Sequence, residues 1–207
     1  MTSRQPSRDS SPGIKFHLTL AKSTWINLLS QPGFLCPMKL PGTATQEENI
    51  YIAMGKLDIQ PGQLFLDIGC GSGAVSAAAA RYTDRIYGID RREEAVAMSR
   101  ARVPAGQFLA GEAALLIPSL PQVDRCFIGG TRGIDEFWPL LLEKASCGCI
   151  IVADLARIGA AAHVAEMMKQ AGVFQELIQI CISRGYPLAG DIALKPANPI
   201  FMVIGKC

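Results

Sequence analysis

The chain has 207 residues, enough to bury one sizeable core and short for two. Hydrophobic residues make up 49% of it and charged residues 18%, a balance that excludes a disordered chain. A net charge of +2 gives no field of the kind that draws a protein to nucleic acid or to a membrane surface, so neither partner is expected.

Apolar stretches such as the run around Ala77–Ala80 fall short of the roughly 18 residues a membrane helix needs. No apolar segment followed by a small-residue cleavage site opens the sequence. A cytoplasmic protein is therefore expected. Seven cysteines are scattered along the chain without a CxxC pair, and His17 and His163 are the two histidines, so no metal site is expected. Cys147 and Cys149 read as small apolar residues entering a buried strand.

In chain order, residues 1–13 are rich in Ser, Arg and Pro and read as a mobile tail. Ile14, Phe16, Leu18 and Leu20 alternate with polar residues, predicting a short strand, and Trp25, Leu28 and Leu29 predict a turn of helix. Residues 1–40 are thus expected to be an N-terminal extension, and residues 41–207 one domain. Thr45, followed three positions later by Glu48, resembles a capping box opening a helix that runs to about Leu57. Pro61-Gly62 is a turn and Gln63–Asp67 an apolar strand. After the glycine-rich Gly69–Gly73 comes the alanine-rich Ala74–Arg81, a strong helix former.

The alternation then continues. Strands are expected at Arg85–Asp90, Gln107–Leu109, Asp124–Ile128 and Cys149–Asp154, and helices at Arg92–Arg102, 133–145 and Arg157–Ala171. The unbroken apolar run of Cys149–Asp154 is typical of a buried parallel strand. Such alternation implies a parallel sheet with helices on both faces. Val173–Ser183 and Ile200–Gly205 are two further strands. The segment between them has no helical period, so they are expected to pair antiparallel at the sheet edge.

Chemistry concentrates in Leu66-Asp67-Ile68-Gly69-Cys70-Gly71-Ser72-Gly73 and in Asp90 at the end of the following strand. Glycines at this strand-to-helix turn let the backbone pass close under a ligand, where a Cβ would collide. A carboxylate at the end of the second strand is placed to accept both hydroxyl hydrogens of a ribose. Gly69, Gly71 and Ala74 also satisfy the dinucleotide pattern GxGxxG/A, so a nicotinamide oxidoreductase is an alternative. Asp67 favours S-adenosylmethionine instead: an acid there suits a cationic amino-acid end and would repel a pyrophosphate. Gly111-Glu112-Ala113, after the third strand, reads as the turn that contacts the adenine.

The stretches PGT-x-T-x-E-E (Pro41–Glu48), DIGCGSG (Asp67–Gly73), YGID (Tyr87–Asp90), FIGG (Phe127–Gly130) and the late SRGYPLAG with LKP-NP-F together resemble the decarboxylating precorrin C(15)-methyltransferases of corrin biosynthesis. The resemblance covers roughly residues 38–207. It implies the Rossmann-like class I methyltransferase fold, α/β, with a mostly parallel seven-stranded sheet, an antiparallel edge strand and helices on both faces. It also implies methylation of carbon 15 of a cobalt-precorrin, with loss of carbon dioxide from the ring C acetate. A homo-oligomer, a tetramer, and a companion methyltransferase acting at carbon 5 belong to the same picture. Thr45, the Gly69–Gly73 loop, Asp90 and Ala113 would surround the cofactor, with Thr45 also a candidate helix cap.

Gly129 and Gly130 would leave an open floor suited to a large flat macrocycle. A precorrin carries many carboxylates, so cations should meet it. Arg132, Arg184 and Lys195 are the candidates, with Tyr186 stacking or donating a hydrogen bond. Methyl transfer itself calls for no protein nucleophile. Asp154, at the end of the fifth strand, is the candidate carboxylate for proton work. Other readings are a class I methyltransferase for a transfer-RNA base or small metabolite, and a non-catalytic binding module.

Overall fold

The computed structural model describes residues 45–207. The extension expected over residues 1–40 and the Pro41–Ala44 end of the PGT motif lie outside the described residues. The first helix, α1, spans Glu47–Leu57. The sheet then starts with β1 (Phe65–Ile68), followed by α2 (Ala74–Ala79), β2 (Ile86–Asp90), α3 (Glu93–Arg102) and β3 (Gln107–Ala110). A short α4 (Ala113–Leu116) runs into a 3₁₀ turn, Ile117–Ser119. After it come β4 (Val123–Ile128), α5 (Ile134–Lys144), β5 (Ala145–Leu155) and α6 (Ile158–Gln170). The remaining strands are β6 (Phe174–Ile180), β7 (Ser183–Leu188), β8 (Asp191–Pro196) and β9 (Ile200–Lys206).

Seven strands form one sheet in the order β3-β2-β1-β4-β5-β9-β6. β9 runs antiparallel to both β5 and β6, and every other pairing in the sheet is parallel. The expected antiparallel pair is therefore present, with β9 one place in from the edge and β6 outermost.

Alternate residues of each strand serve opposite faces. Leu66, Ile68, Ile128, Ile151 and Ala153 pack with Ile134, Phe137, Leu141 and Met168 of α5 and α6. Phe65, Phe127, Val152 and Met202 pack with Ala53, Leu57, Val75 and Val96 of α1, α2 and α3. Two apolar layers thus clamp the sheet, which is why the central strands read as continuous apolar runs.

Four expectations are corrected. Thr45 does not cap α1: the cap position is Gln46, with no side-chain cap hydrogen bond. Thr45 bonds instead to Asp154 at the end of β5. Residues 183–196, a stretch without helical period, are not a plain connection but a two-stranded antiparallel hairpin, β7–β8. β5 begins at Ala145, ahead of the expected Cys149, with a bulge where its pairing to β4 shifts. Within it Cys149 is buried but Cys147 is exposed, so only one of the pair enters the core.

Candidate active site

Sheet order reverses between β1, which pairs with β2 on one side, and β4 on the other. At such a switch point the loops beyond the strand ends diverge and leave a crevice. A cleft of about 320 Å³ lies there, lined by Ile68, Gly69, Ile89, Asp90, Arg91, Arg92, Gly111, Glu112, Ala113, Gly129, Gly130 and Arg132.

The β1–α2 loop is pinned from several directions. Gly69 and Cys70 donate their N–H groups to the Ile89 carbonyl, at 2.7 and 3.1 Å. The Ser99 hydroxyl of α3 donates to the Gly71 carbonyl at 3.1 Å. Gly69 has φ +83°, and a Cβ there would stand 3.0 Å from the backbone nitrogen of Gly130. Gly129 in turn donates to the Ile68 carbonyl at 2.9 Å. The loops after β1 and β4 can approach this closely only because glycines face each other.

Asp90 is 7% exposed. Its Oδ2 accepts the Gly71 N–H at 3.0 Å and Nη2 of Arg92 at 3.0 Å. Its Oδ1 accepts the backbone N–H and Nε of Arg92, both at 3.0 Å. Burial alone would push this carboxyl up, but the Arg92 guanidinium and the two amides outweigh it and hold the group below the usual range. Across the mouth, Arg91 pairs with Glu112 at 3.6 Å. Both are well exposed, so this pair adds little to stability.

Asp67 sits deeper, 1% exposed, with Oδ2 accepting the Ser76 hydroxyl at 2.6 Å. Its Oδ1 has no partner among the described residues. Burial raises its pKa to about 7, against the pull of Ser76. Asp154 is also lifted by burial, to about 6, with the Thr45 hydrogen bond acting the other way. Its Oδ1 is buried without a partner among the described residues. Ala153 pairs with Ile128, so Asp154 continues the edge beside Gly129.

Of the residues singled out in the sequence, the cleft brings together Gly69, Asp90, Glu112, Ala113, Gly129, Gly130 and Arg132. Thr45, Asp67, Cys70, Gly71, Ser72 and Gly73 lie outside its lining, the last four within the loop that shapes it. Arg184, Tyr186 and Lys195 lie on the hairpin. The Arg184 guanidinium is committed there to both oxygens of Glu48, at 2.7 and 2.8 Å. Sequence reasoning missed Arg91 and Arg92, although their position directly after Asp90, at a strand end in the crevice, was an available signal.

The profile of the family described as precorrin methyltransferase domain matches residues 39–205. The chain belongs to this precorrin methyltransferase family. It is 37% identical over 179 residues to a protein of Methanosarcina acetivorans named probable cobalt-precorrin-6B C(15)-methyltransferase (decarboxylating), covering 82% of this chain and 96% of that one. A solved structure from Methanobacterium thermoautotrophicum, titled precorrin 8W decarboxylase, superposes with a TM-score of 0.75 at 21% identity, covering 79% of this chain and 92% of that one. The precorrin-6y C5,15-methyltransferase of Geobacter metallireducens gives a TM-score of 0.75 at 19% identity, over 82% and 93%. These two structures share the fold, which is the Rossmann-like fold of methyltransferases. As a member of the family this chain is a methyltransferase. No helix among the described residues is long and apolar enough to cross a membrane.

Proposed function

We propose that the protein uses S-adenosylmethionine to methylate carbon 15 of a cobalt-precorrin and removes carbon dioxide from the ring C acetate. The name of the Methanosarcina relative supports the substrate and both steps. The observation that carries the reading is one cleft joining a ribose-binding carboxylate, Asp90, to a side-chain-free floor, Gly129–Gly130, beside Arg132.

The residues present fit the cofactor. Asp90 offers the acceptors for a ribose diol, Gly69 lines the cleft beside it without a side chain to obstruct it, and Glu112 and Ala113 border the place for an adenine. S-adenosylmethionine, when bound, supplies an electrophilic methyl group on a sulfonium, so no protein nucleophile is required. The chain's contribution is alignment, which can lower a barrier by several kcal/mol on its own. A Cβ on Gly130 would meet nothing within 4 Å, so this turn leaves the macrocycle room to lie flat. Arg132 is the cation for one of its carboxylates.

Decarboxylation breaks the bond between the acetate methylene and its carboxylate. Carbon dioxide leaves, the electron pair flows toward the macrocycle, and the methylene then takes a proton to become a methyl group. Asp154, with its raised affinity for a proton and its position beside Gly129, is our candidate donor. Incubation with cobalt-precorrin-6B and methyl-labelled cofactor should give a product with one added methyl and one carboxyl fewer. Under the same conditions Asp154→Asn should still methylate but release carbon dioxide at least about a hundred-fold more slowly. Absence of label from the tetrapyrrole would sink the substrate assignment; unimpaired decarboxylation by the variant would sink the role of Asp154.

The hairpin bears on assembly. Tyr186, Leu188, Ile192 and Leu194 are 41%, 54%, 74% and 68% exposed, and an isolated two-stranded hairpin is marginal in water. We read this arm as the contact surface of a homotetramer. Sedimentation equilibrium should then give four times the chain mass, and Ile192→Lys with Leu194→Lys should return it to one. A native protein sedimenting as a monomer would refute this. A companion methyltransferase acting at carbon 5 and a cytoplasmic setting complete the reading.

A further inference from the structure

An ionised carboxylate offers about four lone-pair positions to donors. At Asp90 four hydrogen bonds are already made, two to each oxygen. Two of these donors, the backbone amides of Gly71 and Arg92, are fixed by the chain. The other two, Nε and Nη2, belong to the Arg92 guanidinium, whose side chain is 37% exposed at the rim of the cleft.

A guanidinium edge presents two parallel N–H groups to a carboxylate. A vicinal diol presents two O–H groups to the same pair of oxygens. The two donors are alternatives for the same acceptors, and both cannot be accommodated at full strength. The fixed amides cannot yield, so the side chain must.

We propose that Arg92 occupies the ribose diol's place on Asp90 and must swing aside for the nucleoside to bind, so that it sets cofactor and product affinity. This rests on the assignment of Asp90 as the ribose acceptor. Glu94, the second residue of α3, adds a weaker attraction for the Arg92 charge. The substrate and product forms of the cofactor share the same ribose, so Arg92 weakens the hold on both. Its benefit lies in exchange: when product release limits turnover, a side chain that reclaims the acceptor speeds departure. Arg92 is a positioning residue in this scheme, acting through Asp90.

The test is calorimetric titration of the full chain and of Arg92→Ala and Arg92→Lys, each with S-adenosylhomocysteine and with its analogue lacking both ribose hydroxyls. Arg92→Ala should bind S-adenosylhomocysteine about five-fold more tightly than the native protein, the ratio a partly exposed ion pair is worth. Arg92→Lys should fall between. Affinity for the analogue, which makes no claim on Asp90, should not change. Equal or weaker binding of S-adenosylhomocysteine by Arg92→Ala would overturn the proposal, as would an equal gain for the analogue. No binding by the native protein but binding by Arg92→Ala would support it. Failure of all three proteins to bind would overturn the cofactor assignment, and this inference with it.

Discussion

Gly73→Ala is expected to lower the melting temperature by about 10 °C and to loosen the whole β1–α2 loop. Gly73 has φ +73°, a conformation that costs a residue with a Cβ about 1–2 kcal/mol. The added carbon would also stand 2.9 Å from Cα of Ser99 and 3.0 Å from its Oγ. Cα belongs to α3 and cannot move without displacing the helix, a strain of about 1–3 kcal/mol more. The sum, about 2–5 kcal/mol, corresponds to roughly 10 °C in a domain of this size. Gly62→Ala separates the two contributions, since Gly62 has φ +80° but open space where its Cβ would go. It should cost only the backbone part. Equal melting temperatures for the two variants, by differential scanning calorimetry, would refute the clash. Ser99 also holds Gly71 in place, so Gly73→Ala should lose affinity for S-adenosylhomocysteine as well.

Asp67 gives the second large effect, in the dependence of stability on pH. Its folded pKa of about 7 lies well above the roughly 3.9 of an unfolded aspartate. Between those values the folded chain holds a proton that the unfolded chain has released. Folding is therefore most favoured at the acid side of that window. Its free energy should fall as pH rises from about 4 to about 7, and level off above, by up to roughly 4 kcal/mol from this group. Asp67→Asn keeps an oxygen to accept the Ser76 hydroxyl and removes the titration. In urea unfolding at a series of pH values, the variant should show a much shallower decline and exceed the native protein in stability at pH 8. An unchanged slope would mean that Asp67 titrates as an ordinary aspartate.

The sequence was most legible where burial was complete. Phe65–Ile68 and Ile86–Asp90 are short, largely apolar runs bounded by turn residues, because both of their faces meet helices. Legibility failed where no face is buried. In β7 every residue is exposed, so the residues of the hairpin carry no alternation from which a strand could be read. Ala113–Ser119 was missed for a different reason: Pro118 and the brevity of α4 leave less than a full amphipathic period.

In the cleft, glycines and Asp90 were readable because a turn against a ligand restricts residue type. Of the fork between Arg92 and Asp90 only the adjacency was readable, since an arginine at a helix start is usually solvated. Nor does any local pattern show that Thr45 bonds to Asp154. That contact exists because α1 packs beneath the far end of β5, a consequence of the folded sheet.

The placement of β9 between β5 and β6 also governs how the protein is born. Within the sheet, β6 hydrogen-bonds to β9 alone. As the chain leaves the ribosome, β1 to β5 and their helices can assemble in turn, but Phe174–Ile180 emerges with its partner still unsynthesised. It must wait, its backbone unpaired and Ile178 and Ile180 uncovered, until Ile200–Lys206 threads in between. This half of the sheet therefore closes in one late, non-local step, and the interval before it is when the nascent protein most needs a chaperone's shelter.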